Sequence, residues 1–369
     1  MNGVSATNGV RGSRRHVLAS LLHKTGLIAG LTLLRSALVR DLRILAYHRI
    51  MPLPDPATFD FDLELISTSP DRFRDQMLLL KRRFRPMRLT GVVTALNAGE
   101  ALPPDAVVVT FDDGYDDNYR IAYPILRELG VPATFFVSTG HIDSGRPFAY
   151  DWLVHMILLT GAPGLTLPEL GIDLSMPKKR DERRQLAGHV LLEMKSLGAI
   201  AQSDLITRLE REWRMPSNVT PVDCRPMTWE QLREMHEAGF EVGSHGVHHR
   251  MLAKLPRQDM EDEVHDSKVS LERELGITTA LMSYPVGGDR AFDERVIEAT
   301  RANGFQLACC YVCGTNPQPA SNRYALQRLP VERNMGLGWF AAMLTLPSLM
   351  SYPTASRETE SGQVTACAP

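Results

Sequence analysis

The chain has 369 residues, enough for one large α/β domain or two ordinary ones around a buried core. Lys and Arg number 41 against 43 Asp and Glu, and a formal net charge of -2 argues against a globally basic nucleic-acid binder. The five cysteines, Cys224, Cys309, Cys310, Cys313 and Cys367, are odd in number and show no disulfide framework, which favours a reducing compartment.

Residues 1–42 read as a basic, apolar, helical segment. Up to position 43 there are seven basic residues, Arg11, Arg14, Arg15, Lys24, Arg35, Arg40 and Arg43, against the single acid Asp41. The longest uncharged run, Thr25 to Leu34, is ten residues, whereas a spanning helix needs about 20. Three readings stand: an amphipathic helix making peripheral membrane contact through residues 14–43, a helix docked on the following domain, or an export signal. The last rests on Ser13-Arg14-Arg15-His16-Val17-Leu18, which resembles a twin-arginine pattern. Lys24 interrupts the apolar region and no small-residue cleavage site follows, so export ranks last. The expected location is cytoplasmic, at the inner membrane face if the segment meets lipid, with export to the periplasm as the alternative.

From position 43 onward, short apolar runs alternate with longer periodic ones, the signature of a parallel sheet with crossover helices. Strands are expected at Arg43 to Tyr47, Ala106 to Phe111, Ala133 to Val137, Glu241 to Ser244, Leu281 to Tyr284 and Leu307 to Tyr311. Helices are expected at Asp71 to Arg83, Asn118 to Glu128, Thr228 to Ala238, Asp259 to Leu275 and Asp293 to Ala302. Gly130, Gly239, Gly276 and Gly304 follow four of these helices, where a left-handed C-cap is wanted. The recurrence is that of a βα barrel. Residues 147–225 break the rhythm and read as a helical insertion on the substrate side. A C-terminal segment, 336–369, carries a short apolar stretch from Leu344 to Met350 and a Ser/Thr/Pro-rich end, expected to be disordered from about 351. Cys310-Tyr311-Val312-Cys313 has no partner pair for zinc and reads as core.

Chemistry concentrates at strand ends. Val107 to Phe111 delivers Asp112 and Asp113 onto Gly114, and α/β folds keep active sites at the C-terminal ends of their strands. Neighbouring carboxylates there can divide labour, one binding a metal and the other taking a proton from water. A tight turn has the same composition. After the strand Glu241 to Ser244 come His245, His248 and His249, of which the first and third have the i, i+4 spacing that brings two imidazoles to one ion if the segment turns helically. One carboxylate and two imidazoles suit Zn²⁺ first, with Fe, Co or Ni as alternatives, and leave positions open for water and substrate.

Thr110 to Gly114 together with His245 to His249 resembles the first two motifs of the NodB-type polysaccharide deacetylases, carbohydrate esterase family four, over roughly residues 44 to 334. The resemblance implies a distorted βα barrel, Asp112 as base, and Asp113, His245 and His249 as metal ligands. Two departures stand out. Gly246 occupies the place of a loop-stabilising Ser or Thr, and Ser283 stands in Met282-Ser283-Tyr284-Pro285-Val286-Gly287 where an arginine often orients the base. By the same resemblance Tyr284 lies at the site and its backbone N–H could stabilise an oxyanion. No histidine follows His265, so a C-terminal acid is absent and His48, after Ile44 to Tyr47, is its substitute. That arrangement resembles the branch acting on biofilm poly-N-acetylglucosamine, with an N-terminal Tyr-His. Tyr115, Asp151 and Trp152 are further substrate contacts, the last two because Phe148 to Trp152 opens the insertion beside the barrel mouth. The implied function is metal-dependent removal of N-acetyl groups from an amino-sugar polysaccharide or glycan. The alternatives are a small-molecule or lipid-linked amide as substrate, or a carbohydrate-binding relic.

Overall fold

A computed structural model describes residues 17–194, 197–215, 221–288 and 290–351. Among them, seven parallel strands run in chain order around a closed barrel: β1 (Arg43–Tyr47), β2 (Ala106–Phe111), β3 (Thr134–Val137), β4 (Glu241–Ser244), β5 (Leu281–Ser283), β6 (Leu307–Cys313) and β7 (Leu326–Pro330). Closure comes from β1, which pairs with β2 through Leu45 and Val109 and with β7 through Leu45 and Leu329. Six of the seven coincide with expected strands. The seventh, Leu-Gln-Arg-Leu-Pro, was missed because two polar residues interrupt its apolar pattern. A two-residue strand, Arg85–Pro86, also pairs with the start of β2.

The strands are apolar because a parallel barrel buries both faces. Every residue of β2 is buried, its Val107, Val109 and Phe111 in the main core and its Val108 in a second cluster with Ile44 and Leu307. Helices Pro70–Arg83, Trp229–Glu237, Arg257–Leu275 and Glu294–Ala302 occupy the expected crossovers. Trp229–Glu237 starts in a capping box between Thr228 and Gln231, which satisfies two otherwise orphaned N–H groups. The stretch expected as one helix from Asn118 opens with a π-helical turn, Asn118–Ala122, and becomes α-helical at Tyr123–Leu129.

The insertion is not wholly helical. Between helix Ala149–Leu159 and helices Arg180–Met194 and Ala199–Glu212 lies an antiparallel hairpin, Gly164–Leu167 with Ile172–Ser175. Alternating Leu165 and Leu167 face inward from it, so the segment builds a core of its own with Trp152, Ile157, Val190 and Leu209.

At the chain's beginning, helices Val17–Lys24 and Leu27–Leu38 pack on the barrel, with Ala19 and Ile28 in the main core. This is the docked-helix arrangement. The twin-arginine-like residues up to 16 lie outside the described residues. No single described helix is long and apolar enough to cross a membrane. The apolar stretch near the C-terminus forms helices Leu337–Thr345 and Pro347–Met350, which bury Phe340, Met343 and Leu344 in the main core. Residues 352–369, including Cys367, lie outside the described residues. Cys224, Cys309, Cys310 and Cys313 are buried, as core cysteines are, and form no disulfide with one another.

Candidate metal centre and active site

Strand register brings the expected residues together. Tyr47 pairs with Phe111, so His48 and Asp112 leave adjacent strand ends, and the Asp112 amide donates to Tyr47 O at 2.9 Å. Val137 pairs with Ser244, and the His245 amide donates to Val137 O at 2.9 Å. One oxygen of Asp113 and one ring nitrogen of each of His245 and His249 lie within 4.8 Å of one another.

The donor set fits a cation. Asp113 Oδ1 is buried without an aligned hydrogen bond, although His249 Nε2 lies 3.1 Å and His245 Nε2 3.5 Å away. A cation between a buried carboxylate oxygen and two imidazole nitrogens would stabilise such an arrangement. His245 Nδ1 donates to Ser283 O at 2.7 Å, which leaves Nε2 with its lone pair toward the cluster. Asp113 and His249 adopt φ of 74 and 55, and Val286 adopts 64 at the pocket wall. Positive φ at non-glycine residues costs of order 1–3 kcal/mol each and concentrates at functional sites.

Asp112 is held differently. Arg328, only 1% exposed by its side chain, reaches from β7 across the barrel and donates to Asp112 Oδ1 at 2.8 Å and Oδ2 at 2.6 Å. It also donates to Ser283 Oγ at 3.0 Å and Cys310 O at 2.8 Å. Burial alone would raise the Asp112 pKa, but the Arg328 guanidinium together with His245 and His48 outweighs it and keeps the carboxyl below its ordinary range. The inference that Ser283 deprives the base of a cation is therefore corrected. The cation comes from another strand, and the Ser283 hydroxyl helps to seat it. Arg328 was invisible in the sequence because its strand was unrecognised.

Gly246 is likewise explained. With φ of 73 it places a hypothetical Cβ 3.2 Å from Glu263 Oε2 and 3.3 Å from Pro285. Glu263, buried on helix Arg257–Leu275, accepts from the amides of Val247 at 2.8 Å and His248 at 2.9 Å, and pairs with His248 Nδ1 at 2.7 Å. The histidine loop is thus fastened from outside by a carboxylate, with Ser244 Oγ accepting from the Gly246 amide at 3.2 Å. His248 supports the loop. Glu263 carried no motif signal beyond its place on a helix.

A cavity of about 330 Å³ covers these groups, lined among others by His48, Tyr115, Asp151, Tyr284, Val286 and Tyr311. The insertion forms part of its wall through Leu191 and Leu192. Arg180 and Arg184 tie that insertion helix to the loop carrying Phe59 and Phe61. His48 packs edge-on against Tyr311, with ring centres 5.3 Å apart.

Three expected contacts need correction. The Tyr284 amide donates to Cys309 O at 3.0 Å within the sheet, so it is not available to an oxyanion. The Val286 amide, two residues on at the pocket wall, has no acceptor among the described residues. Trp152 points into the insertion core and stacks on His155 at 4.8 Å, away from the cavity. Asp151 reaches the cavity wall, but its side chain is fully buried. Its oxygens accept from the Asp62 amide at 2.7 Å and Tyr115 Oη at 3.3 Å, with Arg49 Nη1 at 3.6 Å. Asp151 is an internal fastening rather than a substrate contact. Tyr115, with the Arg49 guanidinium 4.5 Å from its ring centre, is a fixed wall.

A parallel barrel that gathers a carboxylate and two imidazoles at its strand ends, beside a cation-held carboxylate, offers a candidate cation site at the rim where such barrels keep their chemistry. The sequence pattern of the polysaccharide deacetylase family matches residues 99–308, more than half of the chain, and the chain belongs to that family. It is 25% identical over 241 residues to YxkH of Bacillus subtilis, a provisionally named polysaccharide deacetylase, covering 64% of this chain and 56% of that protein. It is 33% identical over 84 residues to the poly-beta-1,6-N-acetyl-D-glucosamine N-deacetylase of Escherichia coli K12, covering 22% of this chain and 12% of that protein. The chain therefore spans little more than half of one relative and a small part of the other. Among solved structures, the Streptococcus pyogenes deacetylase PplD superposes with a TM-score of 0.55 at 19% identity, over 85% of this chain and 100% of that one. The de-N-acetylase of Aggregatibacter actinomycetemcomitans gives 0.51 at 19% identity, over 80% and 97% of the two chains. These likenesses establish the barrel fold.

Proposed function

We propose that the protein is a metal-dependent hydrolase that removes N-acetyl groups from an amino-sugar glycan. The observation that carries this is the placement of Asp113, His245 and His249 in one cavity with Arg328-held Asp112 and with His48. Asp113 Oδ1 and the two imidazoles would hold the ion, Zn²⁺ by the chemistry of the donor set, with Co, Ni or Fe next. A divalent ion there supplies Lewis-acid polarisation of the acyl carbonyl. Asp112, kept ionised by Arg328, takes the proton of the attacking water. His48 gives a proton to the leaving amine. The Val286 amide is the oxyanion donor that Tyr284 was expected to supply.

The substrate reading draws on the Escherichia coli relative, whose name gives an N-acetylated glucosamine polymer. A second reading, an acylated amine on an apolar carrier, is favoured by Leu65, Leu191 and Leu192 in the cavity wall. The relic reading loses its grounds, since Arg328 and Glu263 do the work that Ser283 and Gly246 were thought to leave undone.

Acetate release from N-acetylated oligosaccharides by metal-loaded protein, compared with Asp112→Asn, tests the reading. Equal release by the two proteins would remove Asp112 as base. Binding of a glycan by both without release would return the relic reading.

A further inference from the structure

We propose that the two N-terminal helices, Val17–Lys24 and Leu27–Leu38, dock the protein on an anionic lipid surface. Their inner side is fixed against the helix Leu337–Thr345. Ile28 and Thr32 are buried, Thr32 Oγ1 lies 2.7 Å from Thr345 Oγ1, and a Cβ on Gly338 would meet the Ser20 Cα at 2.8 Å. The outer side is therefore held in one orientation.

At 100° per residue, Leu27, Gly30, Leu33, Leu34, Ala37 and Leu38 share that outer half, and all six are exposed. Leu33 and Leu38 are each 75% exposed, Leu34 57%. Val17, Leu18 and Leu21 add to the exposed apolar side chains from the preceding helix. A surface helix ordinarily turns polar residues to water. One that is apolar on both sides has a second apolar neighbour, and a contiguous exposed patch of this kind marks an interaction site.

Charge selects the neighbour. Residues 1–40 contain six basic residues and no acid. The first acid, Asp41, is buried and engaged by Arg35 at 2.7 Å and Arg43 at 3.2 Å, so within this segment the exposed charge is positive. Lys24, exposed, ends the first helix, and Arg40, exposed, lies just past the end of the second. Apolar side chains between cations match the acyl boundary and headgroups of an anionic bilayer. A second copy of the chain would instead set like charges against each other.

The helices are bent by 84° and have 8 and 12 residues, about 12 and 18 Å at 1.5 Å per residue. Each is short of the roughly 30 Å hydrocarbon core, so this geometry lies on a bilayer rather than crossing it. None of this depends on the reaction proposed above.

The test is cosedimentation of the full-length protein with vesicles of phosphatidylglycerol and phosphatidylethanolamine, with phosphatidylcholine vesicles as the neutral control. The wild type pellets with the anionic vesicles, and less so as salt rises. Leu33→Gln/Leu34→Gln/Leu38→Gln lowers the partition coefficient by about tenfold or more, with an unchanged Tm. Lys24→Gln/Arg40→Gln lowers it several-fold on anionic vesicles only. If the triple variant loses Tm, Leu33→Gln alone carries the comparison. Absence of wild-type binding, or equal binding by wild type and leucine variants, overturns the proposal. So does a concentration-dependent dimer that the leucine variants dissolve, in the absence of vesicle binding.

Discussion

Arg328 and Asp112 are 216 positions apart in the chain and form a two-pronged ion pair, at 2.6 and 2.8 Å, between β7 and β2 with β1 lying between those strands. Both side chains are nearly sealed from solvent. A buried pair with one partner removed leaves an uncompensated charge, which typically costs 3–5 kcal/mol. Arg328→Met is therefore expected to lower Tm by several degrees. It should also move the acid limb of the kcat/KM pH profile upward, because burial of Asp112 is then opposed only by the imidazoles of His245 and His48. Arg328→Lys, which keeps the charge but not the fork, should fall between the two. An unmoved acid limb in Arg328→Met would dissociate this pair from the ionisation that activity requires.

Metal content is expected to track the three ligands. Elemental analysis should find stoichiometric ion in the wild type and a large loss in Asp113→Asn, His245→Ala and His249→Ala. A chelator should abolish acetate release, and readdition of Zn²⁺ should restore it. Full metal in all three variants would move the centre elsewhere.

Glu263 touches none of the ligand atoms but fastens the loop between His245 and His249. Groups that orient a ligand in this way typically contribute 10–100-fold to affinity. Titration of Glu263→Ala with metal should show a loss of about that size, and Glu263→Gln, which keeps one acceptor oxygen, a smaller one. Identical affinity in the three proteins would leave Glu263 a packing residue only.

His48→Gln should retain metal and lose about 10²-fold to 10⁴-fold in kcat, together with the basic limb of the pH profile. If the limb persists, the proton donor is another group.

Asp151 offers a stability test apart from the reaction. Burial pushes its carboxyl up to about 7 against the opposing Arg49 charge, whereas an unfolded Asp titrates near 3.9. Between roughly pH 4 and 7 the folded chain keeps a proton that the unfolded chain has released. This group's contribution to stability therefore falls as pH rises, by at most about 1.4 kcal/mol per pH unit. The Tm of Asp151→Asn, relative to wild type, should improve from pH 4 to pH 8. A difference that does not vary with pH would mean an ordinary carboxylate.

Much of the site was legible because strand ends announce themselves. Val107 to Phe111 and Glu241 to Ser244 are apolar runs ending in Asp112-Asp113 and His245, and a parallel barrel must bring such ends to one rim. His48 was readable for the same reason. Tyr284 and Asp151 do reach the cavity wall while Trp152 does not, and their roles differ from those expected because periodicity reports an element, not which of its groups the sheet or core has already claimed. The Tyr284 amide went to Cys309, and Trp152 went to the insertion core.

The local pattern by itself determined the alternating architecture, the carboxylate pair, the histidine spacing and the basic, apolar start of the chain. Each of these is written in neighbouring residues. Only the tertiary structure decided that Arg328 holds Asp112, that Glu263 holds the histidine loop, and that one face of the N-terminal helices is anchored while the other stays apolar and exposed. These depend on closure of the barrel and on packing between distant segments, and hydrogen-bond partners separated by 216 residues leave no periodic trace.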